Sequence, residues 1–122
     1  MITVDERGII TANRGDDFKL PLFINQGSET RPIRYVLKEK DIVMFHVSSP
    51  NQEFCDALIK KTYNNQNLNE QQDVVVDIKT EDTLLLLPGR YYYEIKAKIY
   101  NEKTNAYEVN TIIPKTQFYI EC

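Results

Sequence analysis

Between Asp17 and Ile24 apolar and polar positions alternate. Phe18, Leu20, Leu22 and Ile24 fall on one face, and Asp17 and Lys19 on the other. A period of two marks a half-buried strand, because successive side chains point to opposite faces. Pro21 has no N–H to give to a ladder, so this strand belongs at an edge or a bulge. Asn25-Gln26-Gly27-Ser28 reads as a turn. Residues 33–37 predict a short strand. Residues 41–47 predict a clearer one, with Val43, Phe45 and Val47 on one face, stopped by Ser48-Ser49-Pro50-Asn51. Residues 57–63 are strand-like, with helix left open as the alternative. Residues 64–72 are rich in Asn, Gln and Glu and have no apolar period, so they predict the longest loop.

Asp73-Val74-Val75-Val76-Asp77-Ile78 is a β-branched strand, with Val74, Val76 and Ile78 inward. Thr80-Glu81-Asp82-Thr83 opens with helix-cap chemistry, Thr80 or Asp82 accepting free N–H groups. The leucine run from Leu84 to Leu87 is too short for a free-standing helix, so residues 80–87 predict a single helical turn or corner. Pro88-Gly89 reverses the chain. Residues 90–100 form the best strand, Asn101-Glu102-Lys103-Thr104-Asn105 a hairpin loop, and residues 107–113 the return. Pro114 breaks it, and residues 117–120 make a last strand. Seven or eight short strands divided by turns, without amphipathic crossover helices, predict an all-β antiparallel sandwich or barrel. At 122 residues, with no internal repeat, the expectation is one domain over residues 1–122.

Three consecutive tyrosines open the strongest strand. Alternation puts Tyr91, Tyr93, Ile95, Ala97 and Ile99 on the core face and Tyr92, Glu94, Lys96, Lys98 and Tyr100 on the other. The triplet is therefore not one platform. Two readings of Tyr92 stand side by side. One is a partner contact with Tyr100 and, across the hairpin, Tyr107, since tyrosine is enriched at binding hot spots. The other is a tyrosine corner after Leu86-x-Pro88, its hydroxyl bonded to backbone a few residues upstream. Phe23 joins Tyr92, Tyr100 and Tyr107 as a candidate interface residue.

Composition adds exclusions. Hydrophobic residues make 42% and charged residues 27%, ordinary for a globular domain. The net charge of -3 comes from charges scattered along the chain, which argues against a nucleic-acid partner. No apolar run approaches the roughly 20 residues that span a bilayer. The first residues have neither the basic nor the apolar region of a leader, so the expectation is synthesis in a cytoplasm without processing. Cys55 and Cys122 fit neither a metal spacing nor a CxxC motif and read as free thiols. His46 is the only histidine and reads as a surface residue rather than a ligand. No nucleophile–base pair, phosphate loop or metal motif stands out, so neither an enzyme nor a cofactor is expected. Arg14-Gly15-Asp16 spells an integrin-type tripeptide but is more simply a turn between strands.

Three stretches resemble a domain of tailed-phage and prophage virion proteins. It is similar to the immunoglobulin-like N-terminal domain of baseplate upper proteins and to related small virion modules. Arg14-Gly15-Asp16-Asp17-Phe18-x-Leu20 resembles the opening strand. Glu81-Asp82-Thr83 with Leu86-x-Pro88-Gly89-Arg90-Tyr91-Tyr92-Tyr93-Glu94-Ile95 resembles the central block. Thr111-Ile112-Ile113-Pro114 with Phe118 and Ile120 resembles the closing strand, although Lys115-Thr116-Gln117 stands where a glycine is usual. The resemblance spans most of the chain and carries over no catalytic residue. It implies that the seven or eight strands form an immunoglobulin-like antiparallel β-sandwich, and that the chain is a non-enzymatic virion accessory protein, made in a bacterial cytoplasm. Such a protein is bound to a larger capsid or tail/baseplate protein, on its own or as a homo-oligomer, without membrane insertion. The competing expectation is a carbohydrate- or cell-surface-binding module with aromatics on a sheet face, weakened by the lack of tryptophan.

Overall fold

A computed structural model describes residues 3–28 and 30–122. Met1 and Ile2, which open the segment read as lacking a leader, lie outside the described residues. Eight strands form two sheets: β1 (Thr3–Val4), β2 (Ile10–Asn13), β3 (Phe18–Leu22), β4 (Ile42–Ser48), β5 (Ile59–Tyr63), β6 (Val74–Ile78), β7 (Gly89–Asn101) and β8 (Ala106–Glu121). Six run in the order β1-β2-β8-β7-β4-β5, and β3 pairs with β6 in a second, two-stranded sheet. Of the two all-β architectures that the alternation predicts, this is the sandwich and not the barrel. All pairings are antiparallel except β2 with β8, which run parallel from Ile10↔Phe118 to Asn13↔Glu121. No helix of the described residues is long and apolar enough to cross a membrane.

The core follows the period of two. Val43, Phe45 and Val47 of β4, Tyr93, Ile95 and Ala97 of β7, and Phe118 and Ile120 of β8 are all buried. They join Leu22, Val74, Val76 and Ile78 of the second sheet in one cluster. Tyr93 lies at its centre, with its ring 5.7 Å from Phe45 and edge-on to Phe118 at 6.3 Å. Burying one such ring stabilises the fold by about 1.5–3 kcal/mol. Its hydroxyl donates to the carbonyl of Gly8, so it also ties the loop before β2 to the core. Gly8 has φ +84, and a Cβ there would stand 3.1 Å from that hydroxyl, which explains the glycine twice over.

Thr80–Leu84 forms one short helix, α1, and fulfils the expected corner. Its buried Thr83 is a clamp. Thr83 Oγ1 accepts from the Gly15 amide at 2.9 Å and donates to the carbonyl of Asp16 at 2.9 Å. The Arg14 guanidinium donates to the carbonyl of Leu84 at 2.9 Å. Arg14-Gly15-Asp16 is thus a turn held against α1. Lys61 of β5 reaches Asp82 at 2.5 Å and ties α1 to the edge of the large sheet.

Several expectations are corrected. Residues 33–37 do not form a strand. They make a single bridge, Asn25↔Arg34, and Ile33 and Val36 stay exposed. The Asn25 side chain accepts from the Gly27 and Ile33 amides and curls the chain into a broad loop, so no neighbour strand extends far enough to pair. The β2 strand was not foreseen, because Ile10-Thr11-Ala12-Asn13 is too short to display a period. Pro114 does not break the chain: β8 runs through it as one strand. The register slips between Tyr93/Ile95 and between Ile95/Lys96. These slips are β-bulges, and they take up the residue whose missing N–H a regular ladder would notice.

Candidate interaction surface

One face of the large sheet is buried. The outer face carries the residues that alternate with the core. On β7 these are Tyr92, Glu94, Lys96, Lys98 and Tyr100, and register places Met44, His46 and Ser48 of β4 beside them. On β8, Gln117 lies opposite Tyr92, Val109 opposite Lys98 and Tyr107 opposite Tyr100.

The four predicted interface residues are not brought together. Tyr92 and Tyr100 share a face but stand eight residues apart on one strand, about 26 Å at ~3.3 Å per residue. Tyr100 and Tyr107 do meet: their rings are edge-to-face at 5.2 Å. The Lys40 ammonium sits 4.3 Å above Tyr100, whose hydroxyl reaches Asn105 Oδ1 at 3.2 Å. At the other end, Arg90 and Lys115 approach the Tyr92 ring at 5.9 and 5.0 Å. Phe23 follows β3 of the second sheet, 45% exposed with the Arg34 guanidinium over it at 5.2 Å.

The structure also decides the corner. The hydroxyl that bonds back to backbone belongs to Tyr91, which donates to Leu87 O at 2.7 Å. Tyr91 is half-buried and packs against the core. The motif is present, but one residue earlier than the Tyr92 assignment. Pro88-Gly89 brings the strand in so that the core-side tyrosine reaches the turn.

Between the two tyrosine sites lies a cluster that the sequence reading missed. The chain turns after β4 through a single 3-10 turn, Phe54–Asp56. That turn lays the Phe54 ring on His46, centroids 3.8 Å apart and nearly parallel at 13°. His46 Nδ1 is 2.7 Å from the carbonyl of Phe54. The histidine is therefore covered, which corrects the surface reading. Lys96 Nζ lies 4.5 Å from the Phe54 centroid. Met44, His46, Phe54, Lys60, Lys96 and Val109 line most of a surface cavity of about 370 Å³. Cys55 and Lys98 complete its rim. The alternation of Val43, Phe45 and Val47 already put Met44 and His46 on the face opposite the core. Only the β4–β7 register sets them beside Lys96.

What this face offers is cation–π pairing and apolar contact. Such contacts contribute about 0.5–1 kcal/mol each where exposed. Among the described residues no group of three or more His, Cys, Asp or Glu is placed to hold a metal ion. Cys55 and Cys122 are both free and exposed. No protein-family model, no curated protein and no solved structure matches the chain.

Proposed function

We propose that this protein is a non-enzymatic accessory subunit of a tailed-phage virion, docked on a larger capsid or tail/baseplate protein through the outer face of its six-stranded sheet. The observation that carries the reading is that face itself. Tyr92, Phe54 and the Tyr100–Tyr107 pair lie on it, and at each of these three sites a lysine or arginine approaches an aromatic ring. Aromatic rings with long cationic side chains suit a protein interface, where few residues dominate the energy and the rest exclude water. Glu94 interrupts the cations, and the chain is anionic as a whole, which favours a protein partner over nucleic acid. The immunoglobulin-like character and the virion setting rest on the resemblance of the 14–20, 81–95 and 111–120 stretches. The corner made by Tyr91 lends it support, since such corners recur in immunoglobulin-like sandwiches.

The test is direct. Mass spectrometry of purified virions should detect the protein, and the isolated protein should bind assembled capsids or tails. Tyr92→Ala and Tyr100→Ala should each weaken that binding without unfolding the chain. Absence from virions together with no binding to either assembly would end the reading. Tyrosine-dependent signals on a glycan array would instead favour a carbohydrate-binding module.

A further inference from the structure

The β7–β8 hairpin extends past the sandwich, and residues 106–111 are all exposed. On one side β8 is paired with β7. On its other side β2 pairs only with residues 118–121. The stretch before the bulges therefore has a free edge. The direction of its backbone groups can be fixed. The Tyr100 amide points away from β8, because it donates to Asp41 Oδ1 at 3.0 Å beside β4. In an antiparallel ladder, opposite residues share that orientation. Tyr107, opposite Tyr100, therefore turns its N–H and C=O outward, and so do Val109 and Thr111. Among the described residues none of these outward groups has a partner on that side.

Such an edge is a template for another strand, and natural proteins usually blunt it with proline, lysine or a bulge. Here the bulges, Pro114 and Lys115 all come after Thr111. Residues 107–111 hold one charge, Glu108, while Val109 is 59% and Tyr107 48% exposed.

We infer that this edge pairs with the same edge of a second copy, antiparallel about a twofold axis at Val109. The register follows from the residues. Val109 packs on its own copy, Tyr107 faces Thr111, and Glu108 faces Asn110. The outward groups of 107, 109 and 111 then satisfy one another. No like charges meet, and a carboxylate faces an amide that can donate to it. A groove of about 380 Å³ between residues 24–26 and 110–112 leaves room for the incoming strand. Its Asn25, Gln26 and Asn110 walls suit the inward Glu108 of the copy. A closed, isologous dimer results, its sheet running as eight strands from β5-β4-β7-β8 of one copy into β8-β7-β4-β5 of the other. The inference goes beyond the virion reading and does not depend on it.

The experiment is sedimentation of the full chain across a hundredfold concentration range, with three variants. The wild type should reach twice the chain mass at the upper concentrations. Val109→Lys sets two ammonium groups against each other on the axis, at a position that is 59% exposed at the rim of the Phe54 cavity and outside the buried core. It should stay monomeric with an unchanged circular dichroism spectrum. In a Cys55→Ser, Cys122→Ser background, Val109→Cys should oxidise to a covalent dimer, and Glu102→Cys at the hairpin tip should not. A wild type that is monomeric throughout would overturn the inference, as would a dimer that survives Val109→Lys.

Discussion

The Tyr91 hydroxyl donates to the carbonyl of Leu87, four residues upstream, at 2.7 Å. One bond thus ties the start of β7 to the leucine corner that precedes it. Its neighbour Tyr92 points to the outer face, where Arg90 and Lys115 approach its ring, and its hydroxyl has no hydrogen-bond partner among the described residues. The two tyrosines should respond differently to loss of the hydroxyl. A hydrogen bond of this kind is worth about 0.5–1.5 kcal/mol net. Tyr91→Phe should lower unfolding stability by about 1 kcal/mol, and Tyr92→Phe by less than ~0.3 kcal/mol. Urea titration of both variants decides the matter; equal losses would mean that the corner bond does not form in solution.

Thr83 Oγ1 joins α1 to the 14–16 turn and is fully buried. Removing it takes the hydroxyl partner away from the part-buried Gly15 amide and Asp16 carbonyl. An unmet buried group costs about 1–3 kcal/mol. Thr83→Val, nearly the same shape, should therefore destabilise by about 2 kcal/mol, whereas Thr83→Ser should cost under about 1 kcal/mol. If Val is tolerated as well as Ser, the hydroxyl is not the clamp.

The contrast between Tyr91 and Tyr92 shows how far the sequence could be read. Alternation placed Tyr93, Ile95 and Ala97 in the core, and all three are buried. It was reliable there because one face of that strand is wholly apolar. The corner was visible as Leu-x-Pro followed by tyrosines, but choosing among three adjacent tyrosines requires the angle at which Pro88-Gly89 brings the chain in. The Phe54–His46–Lys96 cluster was illegible for a related reason. It joins a turn, β4 and β7, and only strand register makes them neighbours. Residues 33–37 misled because an apolar run signals a strand only if another strand lies alongside. Pro114 misled because two bulges absorb it.

Alkaline pH should weaken the fold. Burial raises the hydroxyl pKa of Tyr35, Tyr63 and Tyr93 above the ordinary 10.0. For Tyr35 the hydrogen bond to Asp41 adds to burial, and for Tyr63 burial outweighs the amide of Asp77 that favours the ionised form. The unfolded chain loses these protons near pH 10 while the folded chain keeps them. The stabilising contribution is thus complete below pH 10 and is lost as pH rises from there through the raised folded values. Absorbance at 295 nm on the folded protein should show these three of the eight tyrosines ionising late. Urea midpoints should hold up to about pH 9.5 and fall by pH 11. A midpoint unchanged at pH 11 would count against burial of these hydroxyls.

Asp41 joins three separate segments of the chain. It is 1% exposed and accepts from the Tyr35 hydroxyl, the Lys38 amide at 2.9 Å and the Tyr100 amide at 3.0 Å. The last of these lies where β7 leaves its ladder with β4 and continues alone into the hairpin. Asp41 thus anchors the root of the arm to the loop before β4. Hydrogen bonds to a charged group contribute about 1.5–3 kcal/mol, and buried donors left without an acceptor cost more than the bonds themselves. Asp41→Ala should destabilise by about 3 kcal/mol or more. Asp41→Asn keeps one acceptor oxygen but sets an NH₂ against a donor, and should fall between. Hydrogen exchange separates anchoring from a general loss of stability. In Asp41→Asn the amides of Tyr100 and Asn101 should exchange at least tenfold faster, while that of Ile95, in the core of the same strand, changes only in step with global unfolding. Acceleration shared equally by Ile95 and Tyr100 would mean that Asp41 supports the whole sheet and not the arm.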